Sequence, residues 1–292
     1  MTTATLASPR LSVPTRAVGP VTFPRVLSSE WVKLRTVRST VWTLSATVLV
    51  MIGVAVLSAW GMSLLLAEEP ADLGTDPTAL LTHPAAYATN GVFFAQLVVL
   101  VLGVLTISGE YGTGMIRSTF AAVPSRVPAL LGKAVVLFST VFAVSTLAVA
   151  LSFAASLPFL GELGGPVDFS SGETWRILLG APLYLATMSL LALGVGALVR
   201  HSAGGIAIVI GLVLVVEQVL GVIPVRVFEL VSPFLPASAG SQLLLDENML
   251  AFSAPMAGDV PVLTPWQGYG VLAAWVLVVL GAAAVLLRRR DA

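Results

Sequence analysis

Long apolar runs with almost no charged residues constrain the fold of this chain more than any other feature of its sequence. Six such runs lie near 41–66, 92–109, 134–160, 174–199, 203–223 and 266–287. A helix needs about 20 apolar residues to cross a hydrocarbon core, and a backbone in lipid must satisfy its own hydrogen bonds. Only 10% of the 292 residues are charged, whereas a soluble domain carries about 25%. The sequence therefore predicts an all-α integral membrane protein with six transmembrane helices.

The positions of the charged residues predict how these helices are oriented. With the N-terminus in the cytoplasm, all but two of the 15 Lys and Arg residues lie on the cytoplasmic side, and the exceptions are Arg176 and Arg226. Cytoplasmic loops of membrane proteins are enriched in Lys and Arg, so we expect both termini to be cytoplasmic. The net charge is zero and cysteine is absent. Composition therefore predicts no nucleic-acid partner, no disulfide and no thiolate metal site.

The chain before the first span divides into a tail and a helix. Residues 1–24 are rich in Pro, Ser and Thr and lack the apolar core of a signal peptide, which predicts a disordered cytoplasmic tail. Between Arg25 and Thr40, apolar residues including Trp31 recur at steps of three and four, and charged residues occupy the other faces. This pattern predicts an amphipathic helix at the membrane interface. A plain extension of the first span is the alternative.

The connection between the second and third spans, residues 109–133, is too long for a simple turn. Thr113 can cap a short helix there through its side-chain oxygen. Three apolar residues would then form a ridge along that helix: Met115, Ile116 and Phe120. Such a ridge either packs on the protein itself or is offered to a partner, and the periodicity does not decide between the two.

A second long segment, residues 224–265, precedes the last span on the predicted outer side. It contains six prolines but also many apolar side chains. Irregular apolar backbone near a membrane is tolerated where it is buried in protein or lines a cavity. We therefore expect one or two short re-entrant or interfacial helices, with a surface loop as the alternative.

Three polar residues lie within the predicted spans. Gln96 is in the second span, and Glu217 and Gln218 are in the fifth. A carboxylate at such depth is costly and usually faces a cavity or a partner, so these residues are candidates for a substrate pathway or gate. The alternative is that Glu217 is hydrated near the end of its span or pairs with Arg226.

Three segments together resemble the permease subunits of type-2 ABC exporters, in particular the small six-span permeases of actinobacteria. They are SEWVKLRT before the first span, SGEYGTGMIRSTFAAVPSR after the second, and the long segment before the last span. The resemblance covers residues 25–292 and implies a single permease domain. It also implies that residues 109–120 form a coupling helix, beginning at Glu110, that docks on an ATPase. The expected coupling residues are Gly109, Glu110, Tyr111, Thr113, Met115, Ile116, Arg117 and Phe120.

The resemblance implies an ATP-driven exporter in the plasma membrane, in which two identical or similar permeases form the pathway. ATP and Mg²⁺ would be bound by a separate ATPase subunit, because this chain has no GxxxxGK[ST] phosphate loop. Its two histidines, His83 and His201, fall on opposite sides of the predicted membrane. We therefore expect no catalytic residues, metal site or cofactor in this chain. Two alternatives stay open: a secondary transporter driven by an ion gradient, which needs a relay of intramembrane acids, and a non-transporting scaffold or immunity protein.

Overall fold

A computed structural model of the chain describes residues 22–68, 83–123, 125–160, 167–251 and 260–289. Every regular element in these ranges is helical. Six helical segments are long and apolar enough to cross a membrane: Arg38–Leu65, Val92–Gly112, Val127–Phe159, Gly172–Val199, Ser202–Val222 and Pro265–Arg289. The prediction of six apolar spans is confirmed. Of the predicted N-terminal tail, residues 1–21 lie outside the described residues.

The helices are numbered in chain order. They are α1 (Phe23–Thr36), α2 (Arg38–Glu68), α3 (Pro84–Tyr87), α4 (Val92–Gly112), α5 (Met115–Ala122), α6 (Val127–Leu160), α7 (Gly172–Val199), α8 (Ser202–Ile210), α9 (Glu217–Val222), α10 (Arg226–Val231), α11 (Pro236–Gly240) and α12 (Pro265–Arg289). A π-helical stretch, Gly211–Val216, joins α8 to α9, so that these three pieces form the fifth span. Two 3-10 turns, Ser232–Phe234 and Ser241–Leu244, flank α11.

Helix α1 is the predicted amphipathic helix, but it begins at Phe23 and so takes in the last residues of the predicted tail. Pro24 lies in its first turn. A backbone N–H at that position has no partner within the helix, so proline loses no hydrogen bond there. Val26 is buried against α6, where a Cβ added to Gly132 would lie 2.8 Å from the Val26 side chain. Trp31 points away from this contact and is 48% exposed. One face of α1 therefore packs on the bundle and the other is free to meet lipid headgroups.

Helix α6 begins at Val127, ahead of the apolar run that predicts the third span at 134–160. Pro128 is its second residue, a position that suits proline. The apolar run itself begins only after Lys133, and a lysine inside a span is costly. The helix nevertheless continues through Lys133, since two carboxylates bind its ammonium group.

Helix α7 forms the centre of the bundle. In its most apolar window 72% of the residues are buried, compared with 22% in the first, fifth and sixth spans. Close contacts at glycines explain this enclosure. A Cβ on Gly103 of α4 would lie 2.4 Å from the Ser189 carbonyl oxygen of α7, and one on Gly194 would lie 2.7 Å from Val279 of α12. Helices α4 and α12 can therefore approach the α7 backbone directly.

The segment before the last span contains the short helices that the sequence predicts. Its 3-10 turns and α11 pack under α7 and α12, and Ala239 and Leu243 are completely buried. A Cβ on Gly268 would lie 2.2 Å from the Ala239 carbonyl oxygen, so α12 touches the α11 backbone. The surface-loop alternative is wrong for residues 232–244. Where these helices lie relative to a bilayer stays a prediction.

Candidate functional site

Four charged side chains from α1, α4 and α6 meet at the end of the bundle that is predicted to be cytoplasmic. Lys133 Nζ donates to Glu30 Oε2 at 2.5 Å and to Glu110 Oε1 at 2.8 Å. Lys33 Nζ donates to Glu30 Oε1 at 2.6 Å and to Glu110 Oε1 at 3.0 Å. Each ammonium group therefore bridges both carboxylates. We call these four residues the charge cluster.

The charge cluster also contacts the short helix α5. Lys33 Nζ donates a third hydrogen bond, 3.1 Å long, to Thr119 Oγ1. The Thr119 hydroxyl in turn lies 3.4 Å from Glu110 Oε2. Side chains from α1, α4, α5 and α6 are thus joined by one set of hydrogen bonds, although α5 contributes no charge to it.

The charge cluster is electrically balanced and mostly removed from water. Glu30, Glu110 and Lys133 are buried, and the Lys33 side chain is 26% exposed. Burial lowers the pKa of Lys33, but the hydrogen bond to Glu30 and the negative charge of Glu110 outweigh this effect and raise the pKa above its ordinary value of 10.5. Lys33 is therefore positively charged throughout the physiological range. Removing one member of such a cluster would leave a buried charge uncompensated.

The start of α5 differs from the prediction. Glu110 belongs to the last turns of α4 and does not begin the short helix, which starts at Met115. Gly114 caps it with φ 75°, a left-handed conformation that glycine adopts without strain. Thr113 is not the cap, because its hydroxyl donates back to the Gly109 carbonyl at 2.9 Å. The sharp turn at Gly114 separates α5 from α4.

The apolar ridge predicted on α5 is divided between two faces. Ile116 is buried and Phe120 packs against the core, whereas Met115 is 41% exposed. Arg117 is also exposed. The predicted alternatives of packing on the protein and facing a partner therefore apply to different residues of the same helix. Of the predicted coupling residues on α5, Met115 and Arg117 are exposed, and they point to different sides of the helix because they are two positions apart.

Two arginines bind the aromatic residues at this end of the bundle. The Arg200 guanidinium lies 5.2 Å from the ring centre of Tyr111. The Arg126 guanidinium lies 5.4 Å from the ring of Phe120 and donates to the Leu287 carbonyl oxygen at 3.1 Å. The loop between α5 and α6 is thereby connected to the last turn of α12.

At the opposite end, the three polar residues predicted inside the spans all line one cavity. Its volume is about 370 Å³, and Gln96, Glu217 and Gln218 contribute to its wall together with Tyr184 and Asp246. The sequence separates Gln96 from Glu217 by more than three helices, so their meeting is a product of the packing of α4 against α7 and α8. We call this space the Glu217 cavity.

Glu217 is held by the backbone of the segment that follows its own span. Its Oε1 accepts from the Ala237 N–H at 3.0 Å, and its Oε2 accepts from the Ser238 N–H at 2.7 Å and the Ser238 hydroxyl at 2.8 Å. Arg226 forms its ion pair with Glu229, at 3.6 Å. The predicted alternative of a Glu217–Arg226 pair is therefore wrong.

Gln96 and Tyr184 form a second polar contact in the wall of the Glu217 cavity. The Tyr184 hydroxyl donates to Gln96 Oε1, and both residues are buried. Asp246 is also buried, and it accepts from the backbone N–H groups of His83 at 2.7 Å and Met249 at 2.6 Å. The buried polar groups of the wall therefore include two carboxyl groups, the Gln96 amide and the Tyr184 phenol.

Sequence reasoning missed the residues that complete both sites: Glu30, Lys33, Lys133, Tyr184 and Asp246. Lys133 gave the only direct signal, because it directly precedes an apolar run and a lysine there requires a partner. The spacing of Glu30 and Lys33 by three positions also allows an ion pair on one face of a helix. No comparable signal in the sequence marks Tyr184 or Asp246.

No protein-family model matches the chain, and no curated protein matches it.

Proposed function

We propose that this chain is the membrane-spanning permease subunit of an ATP-driven ABC exporter in the plasma membrane. A second permease would complete the translocation pathway, and a separate ATPase subunit would supply the energy. One observation carries this proposal: an exposed short helix, α5, is hydrogen-bonded through Thr119 to a buried charge cluster that joins α1, α4 and α6.

This arrangement suits the transmission of force from a soluble partner. A short helix attached only by loops would tilt without moving its neighbours. In α5, by contrast, displacement of Thr119 would pull on Lys33 and, through it, on both carboxylates of the charge cluster. Because Lys133 lies on the third span and Glu110 on the second, movement of α5 would change the position of these two spans relative to each other. ATP-driven closure of a docked ATPase is the movement that we propose.

The fifth span supports pairing with a second permease. Only 22% of its most apolar window is buried within the chain. Ala203 and Ala207 are exposed on it, and a Cβ added to Gly211 would meet no atom within 4 Å. Small residues spaced by four let another helix approach closely in a membrane. A second copy or a similar permease would cover this face.

Co-purification with an ABC ATPase subunit of the same organism tests the proposal. Met115→Glu, on the exposed face of α5, should abolish recovery of the ATPase, whereas Met249→Glu should not. The two methionines are matched, since Met115 is 41% and Met249 is 46% exposed and they lie at opposite ends of the bundle. Equal recovery with both variants would contradict docking on α5.

Transport measured in proteoliposomes distinguishes the proposed function from its alternatives. An exporter requires ATP and the recovered ATPase for export. Export that needs only an ion gradient would instead indicate a secondary transporter. Stable recovery of the ATPase with no export of any substrate tested would favour a scaffold or immunity protein.

A further inference from the structure

The Glu217 cavity is acidic. Glu217 and Asp246 both line it, and both are buried. Among the described residues that form its wall, none is Lys, Arg or His. The two arginines at this end of the bundle have carboxylate partners elsewhere: Arg176 contacts Glu173 at 3.4 Å, and Arg226 contacts Glu229 at 3.6 Å. A cavity lined by charge of one sign attracts ligands of the opposite sign.

Backbone N–H groups point at both acids. Both oxygens of Glu217 accept, from the N–H groups of Ala237 and Ser238 and from the Ser238 hydroxyl. Both oxygens of Asp246 accept from backbone N–H groups as well. Hydrogen bonds donated to a carboxyl group favour its ionised form, and they add no full positive charge to the cavity wall.

A buried polar pair fixes the wall between the two acids. Gln96 is 3% exposed and lines the cavity, and its oxygen accepts from the Tyr184 hydroxyl.

The remaining wall suits an apolar cation. Phe93 lines the cavity and is 42% exposed, and Tyr184 lies in the same wall. Aromatic faces attract organic cations. The volume of about 370 Å³ falls in the range of small-molecule sites, which is roughly 300–1,000 Å³.

We propose that the Glu217 cavity binds an organic cation, a protonated amine or quaternary ammonium on an apolar frame, with its charge against Glu217 and Asp246. The binding site itself does not depend on the proposed function. The identification of this cation as the exported substrate class does. The exposed side chains at the cavity rim, among them Phe93 and Gln218, would let such a ligand enter from the side of the bundle.

Equilibrium dialysis tests the site directly. The purified full chain, reconstituted in lipid nanodiscs without any ATPase, is dialysed against tetraphenylphosphonium or tetraphenylborate, which are matched in size and shape but opposite in charge. We expect saturable binding of one tetraphenylphosphonium per chain and no saturable binding of tetraphenylborate. Empty nanodiscs measure partitioning into lipid.

Charge-removing variants locate the binding site. Glu217→Gln and Asp246→Asn should each weaken tetraphenylphosphonium binding by about tenfold, since each removes one charge from the cavity wall. Asp168→Asn is the matched control, because Asp168 is an exposed carboxylate outside the cavity, and it should leave binding unchanged.

The outcomes separate this inference from the proposed function. Equal binding of the two probes, or binding unchanged in both cavity variants, would overturn the inference. If the cavity variants fail to fold, the comparison of the two probes on the natural chain still decides. Selective cation binding by a chain that recruits no ATPase would support the site and leave only the exporter proposal refuted.

Discussion

Lys133 makes the most buried contacts of the charge cluster, and its removal gives the sharpest test of that cluster. Its side chain is 5% exposed, and its ammonium group bonds to Glu30 at 2.5 Å and to Glu110 at 2.8 Å. Lys133→Met keeps much of the apolar stem but leaves two buried carboxylates sharing the more exposed Lys33. Breaking a buried pair in this way costs about 3–5 kcal/mol. We expect the free energy of unfolding to fall by that amount.

Equilibrium unfolding by sodium dodecyl sulfate in mixed micelles measures this loss, and a double-mutant cycle assigns its cause. Glu110→Gln should also destabilise the protein. The double variant should be more stable than the sum of the single losses predicts, by about 1–3 kcal/mol. The reason is that Glu110→Gln removes a carboxylate that the loss of Lys133 would leave uncompensated. Arg35→Met is the control. Arg35 is exposed on α1, so its loss should change stability by no more than about 0.5 kcal/mol.

Strictly additive losses in the double variant would refute the reasoning. Lys133 would then stabilise the protein through the packing of its stem alone. A loss for Lys133→Met as small as that for Arg35→Met would refute it as well, because the buried carboxylates would then not need the ammonium group.

Three further predictions concern packing and pH. Gly103→Ala should destabilise by about 1–3 kcal/mol, because its Cβ would lie 2.4 Å from the Ser189 carbonyl oxygen, whereas Gly281→Ala, with no atom within 4 Å, should not destabilise; thermal unfolding compares the two. Arg126→Ala should speed proteolysis of the end of α12, since it loses the bond to the Leu287 carbonyl; an unchanged rate would contradict that role. The stability difference between the natural chain and Lys33→Met should be constant from about pH 6 to 9. A raised pKa keeps the contribution of Lys33 complete below its ordinary value of 10.5 and loses it only as the pH rises through the folded-state value; a decline within that range, measured by unfolding at each pH, would disprove it.

The apolar runs predicted the spans well because hydropathy is a local property. In lipid, each span must form the hydrogen bonds of its own backbone internally, so its position in the sequence depends little on the neighbouring spans. The fifth span was predicted at 203–223 and is found at Ser202–Val222. The helix of the third span extends ahead of its apolar run, because the ammonium group of Lys133 is paired with distant acids.

The candidate sites were predicted only in part. Gln96, Glu217 and Gln218 stood out because polar residues are rare in spans, and the structure brings all three to one cavity. Glu110, in contrast, is predicted to begin the coupling helix, whereas it lies in the last turns of α4 and belongs to the charge cluster. A motif in the sequence does not tell which way its side chains turn at a tight bend such as Gly114.

Sequence alone determined the fold class, the number of spans and the identity of the unusual polar residues, because the cost of burying each residue in lipid adds up along a single helix. Only the tertiary structure decided which charges meet. Lys133 and Glu30 are 103 residues apart in the chain and 2.5 Å apart in space. Their meeting depends on close contacts between whole helices, such as that of Val26 with Gly132, and no local pattern of residues encodes those contacts.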